Sequence, residues 1–291
     1  MERQTVHYKD LYSDYAGKLT QVLGDEREAQ LDTRLLLEAA CGTSLQTMLT
    51  DPARAVSGPE KELFERYMAR RMKREPVAYI LGEWEFMGLP FYVTPDVLIP
   101  EQDTEILVEE AMKDAPDGSR ILDLCTGSGC ILLSLLHYSN GSVGKGTDLS
   151  QKALQVAARN AERLGLTDRA SFAQGDLFGA LEPGEKFDLI VSNPPYIASD
   201  KIDSLSPEVR DGEPRIALDG GADGLSFYRR IAREAARHLV IGGCLVMEIG
   251  YDQAQPVLSL LSENGYIDVR VYRDYGGQTR VVRGIRSIHQ D

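Results

Sequence analysis

Asn193-Pro194-Pro195-Tyr196 is the stretch of this chain whose residue types are best suited to chemistry. It follows Phe187-Asp188-Leu189-Ile190-Val191-Ser192, a short apolar run that reads as a buried parallel strand. Neither Pro194 nor Pro195 can donate to a ladder, so the strand stops there. The ring of Pro194 also pushes Asn193 out of the helical region. An amide side chain therefore stands on a stiffened elbow at the carboxyl end of a strand, the edge where open α/β sheets bind ligands. Such an elbow suits a planar NH2 group. Its two hydrogens need two acceptors, and the Asn193 side-chain oxygen and the Pro194 carbonyl can supply them. Tyr196 offers a flat face as a pocket wall. These assignments make Asn193, Pro194 and Tyr196 the candidate catalytic group, and Asn193, Pro194, Pro195 and Tyr196 the candidate substrate-binding set. The plain alternative is a turn in which Asn193 caps local backbone.

A second constellation lies upstream. Asp123 precedes Cys125-Thr126-Gly127-Ser128-Gly129, a glycine turn between a strand and a helix. Glycine there permits a tight bend and close approach of a ligand to the backbone. A dinucleotide fingerprint would need glycine or alanine where Leu132 stands, and no Gly-Lys-Ser/Thr follows for a phosphate-cradling loop. Asp148, at the end of the next strand, is placed to meet ribose hydroxyls. Asp176 stands at the end of the third strand, where adenine contacts would fall, and Asn193 faces the same edge. Carboxylates and glycines without phosphate-binding cations suit a positively charged nucleoside, and S-adenosyl-L-methionine is one. The cofactor set is thus Asp123, Cys125, Thr126, Gly127, Ser128, Gly129, Asp148, Asp176, Leu177 and Asn193. Aspartate is also a common helix cap, which is the competing role for Asp148 and Asp176.

The elements that must position these residues alternate strand and helix from Arg120 onward, the pattern of a parallel sheet covered on both faces. Strands are predicted at 121–124, up to 148, at 170–176, 187–192 and 244–249, and as a final hairpin of 268–273 and 280–286 around Gly276-Gly277-Gln278. Helices are predicted at 103–113, 130–138, 150–164, 225–239 and 252–264, and residues 197–223 read as a polar insertion with several turns. Before them, residues 1–75 read as a small helical domain. Tyr8, Leu11, Tyr12, Tyr15 and Leu19 recur at helical spacing, a second helix covers 32–40 and ends near Gly42, and a third begins at Pro59. Residues 76–100 read as a β-hairpin linker packed between the domains, and 101–291 as the sheet domain. The fold class is α/β, a seven-stranded Rossmann-like sheet with an N-terminal helical domain.

The bulk properties narrow the function. The chain has 291 residues, 43% hydrophobic and 26% charged, with a formal net charge of −13. That charge argues against a partner dominated by phosphates, such as duplex DNA. No apolar run could span a bilayer, and the first residues lack an apolar signal core, so the cytoplasm is expected. Cys41, Cys125, Cys130 and Cys244 form no Cys-x-x-Cys pair and read as reduced thiols. His7, His137, His238 and His289 are isolated, so no metal site is expected.

The glycine turn, Asp148 and the Asn193–Tyr196 elbow resemble class I S-adenosylmethionine-dependent methyltransferases of planar nitrogens. The rest of the chain resembles the HemK/PrmC family of protein-(glutamine-N5) methyltransferases. The linker-like residues carrying this resemblance are 76–82, Phe86, Gly88, Leu89, 97–100 and 103–105. Glu213-Pro214, Ala217-Leu218, Gly220-Gly221 and Asp223-Gly224 carry it in the insertion. The resemblance implies methylation of the side-chain amide nitrogen of the glutamine in the Gly-Gly-Gln motif of class 1 peptide chain release factors, with recognition by the helical domain. It implies a protein partner, no direct nucleic acid and no membrane, and the chain is expected to act as a monomer. Glu101-Gln102 stands where the family usually has Arg-Pro, and Cys125 where many relatives have glycine. Leu177 replaces an aromatic that some relatives place beside adenine. Two other readings remain. An adenine-N6 methyltransferase acting on nucleic acid shares the elbow, and a non-catalytic adaptor could retain the cofactor pocket. Gly276-Gly277-Gln278 repeats the substrate tripeptide within ordinary hairpin-turn chemistry.

Overall fold

A computed structural model describes residues 6–288. The first five residues, on which the signal-sequence reading partly rests, and His289 lie outside the described residues. The chain divides into two compact units, one ending at Gly82 and the other beginning at Glu83.

The first unit is helical. It comprises α1 (Tyr8–Leu23), α2 (Glu26–Cys41), α3 (Leu45–Thr50), α4 (Gly58–Arg71) and α5 (Val77–Leu81). Asp25 caps α2 by accepting from the Arg27 and Glu28 amides, and Gly42 ends it in a left-handed turn. Ser57 and Glu60 form a reciprocal capping box at the start of α4. Leu19, Leu36, Leu37, Phe64 and Met68 are fully buried between these helices. The buried Arg71 guanidinium joins α4 to α2 through Asp32 at 2.6 Å and Glu28 at 2.8 Å. The unit's end differs from the expected boundary at residue 75. Val77–Leu81 is a helix with Val77, Ala78, Tyr79 and Ile80 buried, packed on α2 and α4.

The second unit starts with a hairpin, β1 (Glu83–Phe86) and β2 (Leu89–Tyr92). This hairpin belongs to the sheet unit. Phe86, Leu89 and Phe91 enter its core, and Asn160 brackets Tyr92 by accepting from its amide at 2.7 Å and donating to its carbonyl at 3.0 Å. Then follow α6 (Gln102–Met112), β3 (Arg120–Leu124), α7 (Cys130–Tyr138), β4 (Val143–Asp148), α8 (Gln151–Arg163), β5 (Ala170–Gln174) and β6 (Phe187–Ser192). The insertion contains short helices α9 (Pro207–Gly212) and α10 (Arg215–Leu218), not turns alone. The chain closes with α11 (Ser226–Glu234), β7 (Leu239–Glu248), α12 (Ala254–Glu263), β8 (Ile267–Arg273) and β9 (Thr279–Ile285).

The seven-stranded sheet has the order β5-β4-β3-β6-β7-β9-β8. β3 to β7 are mutually parallel, and β9 runs antiparallel to both β7 and β8. Strand alternation divides the core. Ile121, Leu189, Val191 and Val246 face α6 and α7. Leu122, Leu124, Ile190, Leu245 and Met247 face α11 and α12. β7 begins at Leu239 rather than 244, running through Gly242 and Gly243 with a register shift against β6. This topology brings the carboxyl ends of β3, β4, β6 and β7 to one edge.

Candidate active site

The glycine turn is shaped by the strand beneath it. Asp123 is wholly buried at β3, and its Oδ2 accepts from the Thr126 hydroxyl at 2.6 Å. Burial pushes its carboxyl up to about 7. The Thr126 amide donates to the Thr147 carbonyl at 3.0 Å, which stitches the turn to β4. Gly127 and Gly129 have φ of 54° and 79°, in the left-handed region. A side chain at Gly129 would also meet the Ala157 Cβ of α8 at 3.2 Å. Cys125 occupies the same region with φ 60°, as does Leu177 with φ 52°. A side chain in that region costs about 1–2 kcal/mol relative to glycine. Burial drives the Cys125 thiol pKa upward, so it is no ready nucleophile.

Asp148 ends β4 with its carboxylate aimed at this turn. Oδ2 accepts from the Gly127 amide at 2.9 Å and Oδ1 from the Ser150 amide at 2.8 Å. Burial raises its carboxyl above the ordinary value although those amides oppose the shift. Each oxygen keeps a further lone pair for a hydroxyl. Asp176 is more exposed and pairs with Arg230 at 2.9 Å.

The elbow follows β6. Asn193 Nδ2 donates to Thr104 Oγ1 at 3.3 Å, and the carbonyl of Pro194 accepts no hydrogen bond among the described residues. The Tyr196 hydroxyl donates to Glu248 Oε1 at 3.3 Å, and its carbonyl accepts from Gln253 Nε2 at 2.9 Å. Gly220 presses on this backbone so closely that a Cβ would lie 2.7 Å from Tyr196 Cα. Glu248 is wholly buried, and Oε2 has no partner at hydrogen-bond distance. Burial pushes its carboxyl up to about 7, as it does for Glu213, which accepts from the Ile99 amide at 3.2 Å.

Between turn and elbow lies a cavity of about 230 Å3. Of the residues singled out from sequence, Cys125, Thr126, Gly127, Ser128, Asp148, Asp176, Leu177, Asn193 and Pro195 line it. Asp123, Gly129, Pro194 and Tyr196 do not. Asp123 and Gly129 support the turn from below, and the Tyr196 hydroxyl is turned toward Glu248 rather than left free as a wall. Thr104, Leu98, Ile131, Leu149 and Phe227 also line the cavity and were not singled out from sequence. For Glu248 the available signal was a lone carboxylate in an otherwise apolar strand. Thr104 lay inside a quoted motif without an assigned role.

Two family descriptions match the chain: the PrmC N-terminal domain over residues 17–82, and the methyltransferase small domain over residues 100–206. A release factor glutamine methyltransferase of Geobacter sulfurreducens is 45% identical over 256 residues, covering 88% of this chain and 89% of the relative. The chain belongs to the release factor glutamine methyltransferase family. A relative of the same name from Caulobacter vibrioides is 43% identical over 262 residues, covering 89% and 90% of the two chains. A crystal structure of a methyltransferase from Pyrococcus furiosus shares the fold, with a TM-score of 0.53 at 18% identity over 77% of this chain and all of that one. This family member is an S-adenosylmethionine-dependent methyltransferase, and the cavity fits that ligand. The lining places a half-buried carboxylate at the ribose end and apolar side chains where a base would lie. Among the described residues the one cation lining it, Arg230, is already held by Asp176. Asp148 with the Gly127–Ser128 backbone would hold the nucleoside, and Leu177 and Leu149 would flank the base.

Proposed function

We propose that this enzyme methylates the side-chain amide nitrogen of the Gly-Gly-Gln glutamine in class 1 release factors. The observation that carries the reading is the elbow. Asn193 stands at the cavity with its amide nitrogen engaged by Thr104. Its oxygen and the Pro194 carbonyl are thereby available as paired acceptors. When bound, S-adenosylmethionine supplies a methyl carbon on a cationic sulfur. An amide nitrogen is a weak nucleophile because its lone pair is delocalised. Asn193 and the Pro194 carbonyl would hold its two hydrogens and direct the lone pair at the methyl carbon. The methylated nitrogen would release one N–H proton to solvent, the sulfur keeping the electron pair of its former methyl bond. Orientation of this kind can contribute about 7–11 kcal/mol to the barrier. The helical unit, matched over residues 17–82 by the PrmC N-terminal description, is assigned to release factor recognition.

The net charge of −13 supports a protein partner over a polyphosphate. Among the described residues no helix is long and apolar enough to cross a membrane. Incubation with labelled S-adenosylmethionine and a purified release factor, and separately with DNA, tests the reading. The expected result is label on the release factor that vanishes when its Gly-Gly-Gln glutamine is replaced. Label on DNA alone would assign the elbow to adenine. The chain's own Gly276-Gly277-Gln278 is an exposed turn between β8 and β9, with the Gly277 carbonyl accepting from Arg273 Nη1 at 2.6 Å.

A further inference from the structure

The Pro194 carbonyl can accept from a substrate NH2 only if the peptide between Pro194 and Pro195 is held at a fixed tilt. The two rings lock φ at both residues, so the freedom left there is rotation about ψ. Neither proline has an N–H with which to tie the elbow down. The stretch must therefore be held from its two ends. Upstream, Ser192 is fixed in the sheet between β3 and β7. Downstream, the Tyr196 carbonyl accepts from Gln253 Nε2 at 2.9 Å, a residue 57 positions away that caps α12.

The Gln253 amide can sit in one orientation only. Its oxygen accepts from the Gly250 amide at 3.0 Å, and a backbone N–H can only donate. Its nitrogen faces the carbonyls of Tyr196 at 2.9 Å and Gly224 at 3.4 Å, and carbonyls can only accept. The Tyr228 hydroxyl of α11, which donates to the Glu248 carbonyl at 2.9 Å, also stands 3.4 Å from the Gln253 oxygen. The surrounding backbone leaves just enough room for this clasp. A Cβ at Gly224 would collide with the Tyr196 carbonyl and lie 2.7 Å from Gln253 Nε2. A Cβ at Gly250 would lie 2.9 Å from Gln253 Oε1, and one at Gly220 would lie 2.8 Å from the Pro195 carbonyl.

We propose that Gln253 is a positioning residue that clamps the downstream leg of the elbow and thereby aims the Pro194 carbonyl at the substrate nitrogen. The proposal rests on the acceptor role given to Pro194 above. Gln253 does not line the cavity, so it acts on the methyl acceptor and not on the cofactor. With the clasp open, rotation about ψ swings the Pro194 carbonyl away while the glycine turn and Asp148 stay in place.

The test uses full-length Gln253→Met, Gln253→Glu and Tyr228→Phe, with kcat and KM for release factor methylation and calorimetric affinity for S-adenosylmethionine. Gln253→Met keeps the length of the side chain and removes its hydrogen bonds. It should lose up to about 100-fold in kcat, a size typical of misplaced reacting groups, with cofactor affinity unchanged. Gln253→Glu still accepts from Gly250 but turns an oxygen toward two carbonyls, so it should lose turnover to a similar degree. Tyr228→Phe disturbs the same buried network without touching the bond to Tyr196, and its kcat should stay near wild type. Wild-type kcat in Gln253→Met, or a loss confined to cofactor affinity, would overturn the proposal. Equal kcat losses in Gln253→Met and Tyr228→Phe would also overturn it, because general loosening of the network would then suffice. If Gln253→Met does not fold, Gln253→Glu against Tyr228→Phe decides. Wild-type enzyme that leaves the release factor unlabelled would remove the functional reading itself, and this inference with it, before any variant is compared.

Discussion

At the glycine-turn end of the cavity, Asp148 takes its hydrogen bonds from the amide of Ser150, two residues on, and from that of Gly127, 21 residues back and just past the end of the adjacent strand β3. At the elbow end, Asn193 is held by Thr104, which is 89 residues away, and Tyr196 by Glu248, which is 52 away. The first end presents backbone amides and a carboxylate fixed by two paired strands. The second depends on side-chain hydrogen bonds supplied by other elements. The difference teaches where each kind of damage should appear. Changes at the turn should cost cofactor affinity, and changes at the elbow should cost turnover.

The largest expected effect that would sharpen this contrast is Asn193→Ala. It should lower kcat by about 10²–10³-fold, as when a transition-state hydrogen-bonding group is removed, while S-adenosylmethionine affinity stays near wild type by calorimetry. Asp148→Ala should do the reverse. Loss of charged hydrogen bonds to a ligand costs about 1.5–3 kcal/mol, so the cofactor Kd should rise by roughly 10- to 150-fold, with kcat at saturating cofactor less affected.

A third effect separates the ends by pH. Glu248 has its folded value raised from 4.5 to about 7 by burial. The folded state thus binds that proton more tightly than the unfolded chain. Its contribution to stability is present at low pH and is lost as pH rises through about 7. Relative to wild type, Glu248→Gln should gain about 1 kcal/mol between pH 6 and pH 8 in denaturant titrations. A gap that stays constant with pH would mean Glu248 is ionised throughout. The smallest effect is Cys125→Gly. Relief of the left-handed strain, partly offset by the flexibility of glycine in the unfolded chain, should raise stability by up to about 1 kcal/mol without changing turnover.

The same contrast explains what the sequence made legible. The 187–192 strand and the 130–138 helix emerge as apolar runs bounded by proline, glycine or serine, and their ends match closely. Asp148 and the glycine turn are legible because each follows or ends one of two consecutive strands, which the strand–helix alternation predicts to pair in parallel. Thr104 and Glu248 reach the elbow only through the placement of β7 beside β6 and of α6 over the sheet, which no window of sequence displays. α3 escaped notice because none of its residues is buried, so it has no apolar stripe to betray it. The early end assigned to the helical unit has a different cause. Pro76 reads as a stop, yet it stands as the N-cap of α5, where proline's fixed φ costs nothing. β7 starts before the predicted residue 244 and passes through Gly242-Gly243 with a register shift against β6.

The most direct test of the central claim measures single-turnover methyl transfer to a release factor and S-adenosylmethionine affinity on the same preparations of Asn193→Ala and Asp148→Ala. The expected pattern is crossed: Asn193→Ala binds cofactor normally and transfers slowly, whereas Asp148→Ala binds cofactor weakly and transfers near normally once saturated. If both variants lose the same quantity, or if Asn193→Ala transfers methyl groups at the wild-type rate, the division of labour between turn and elbow is wrong.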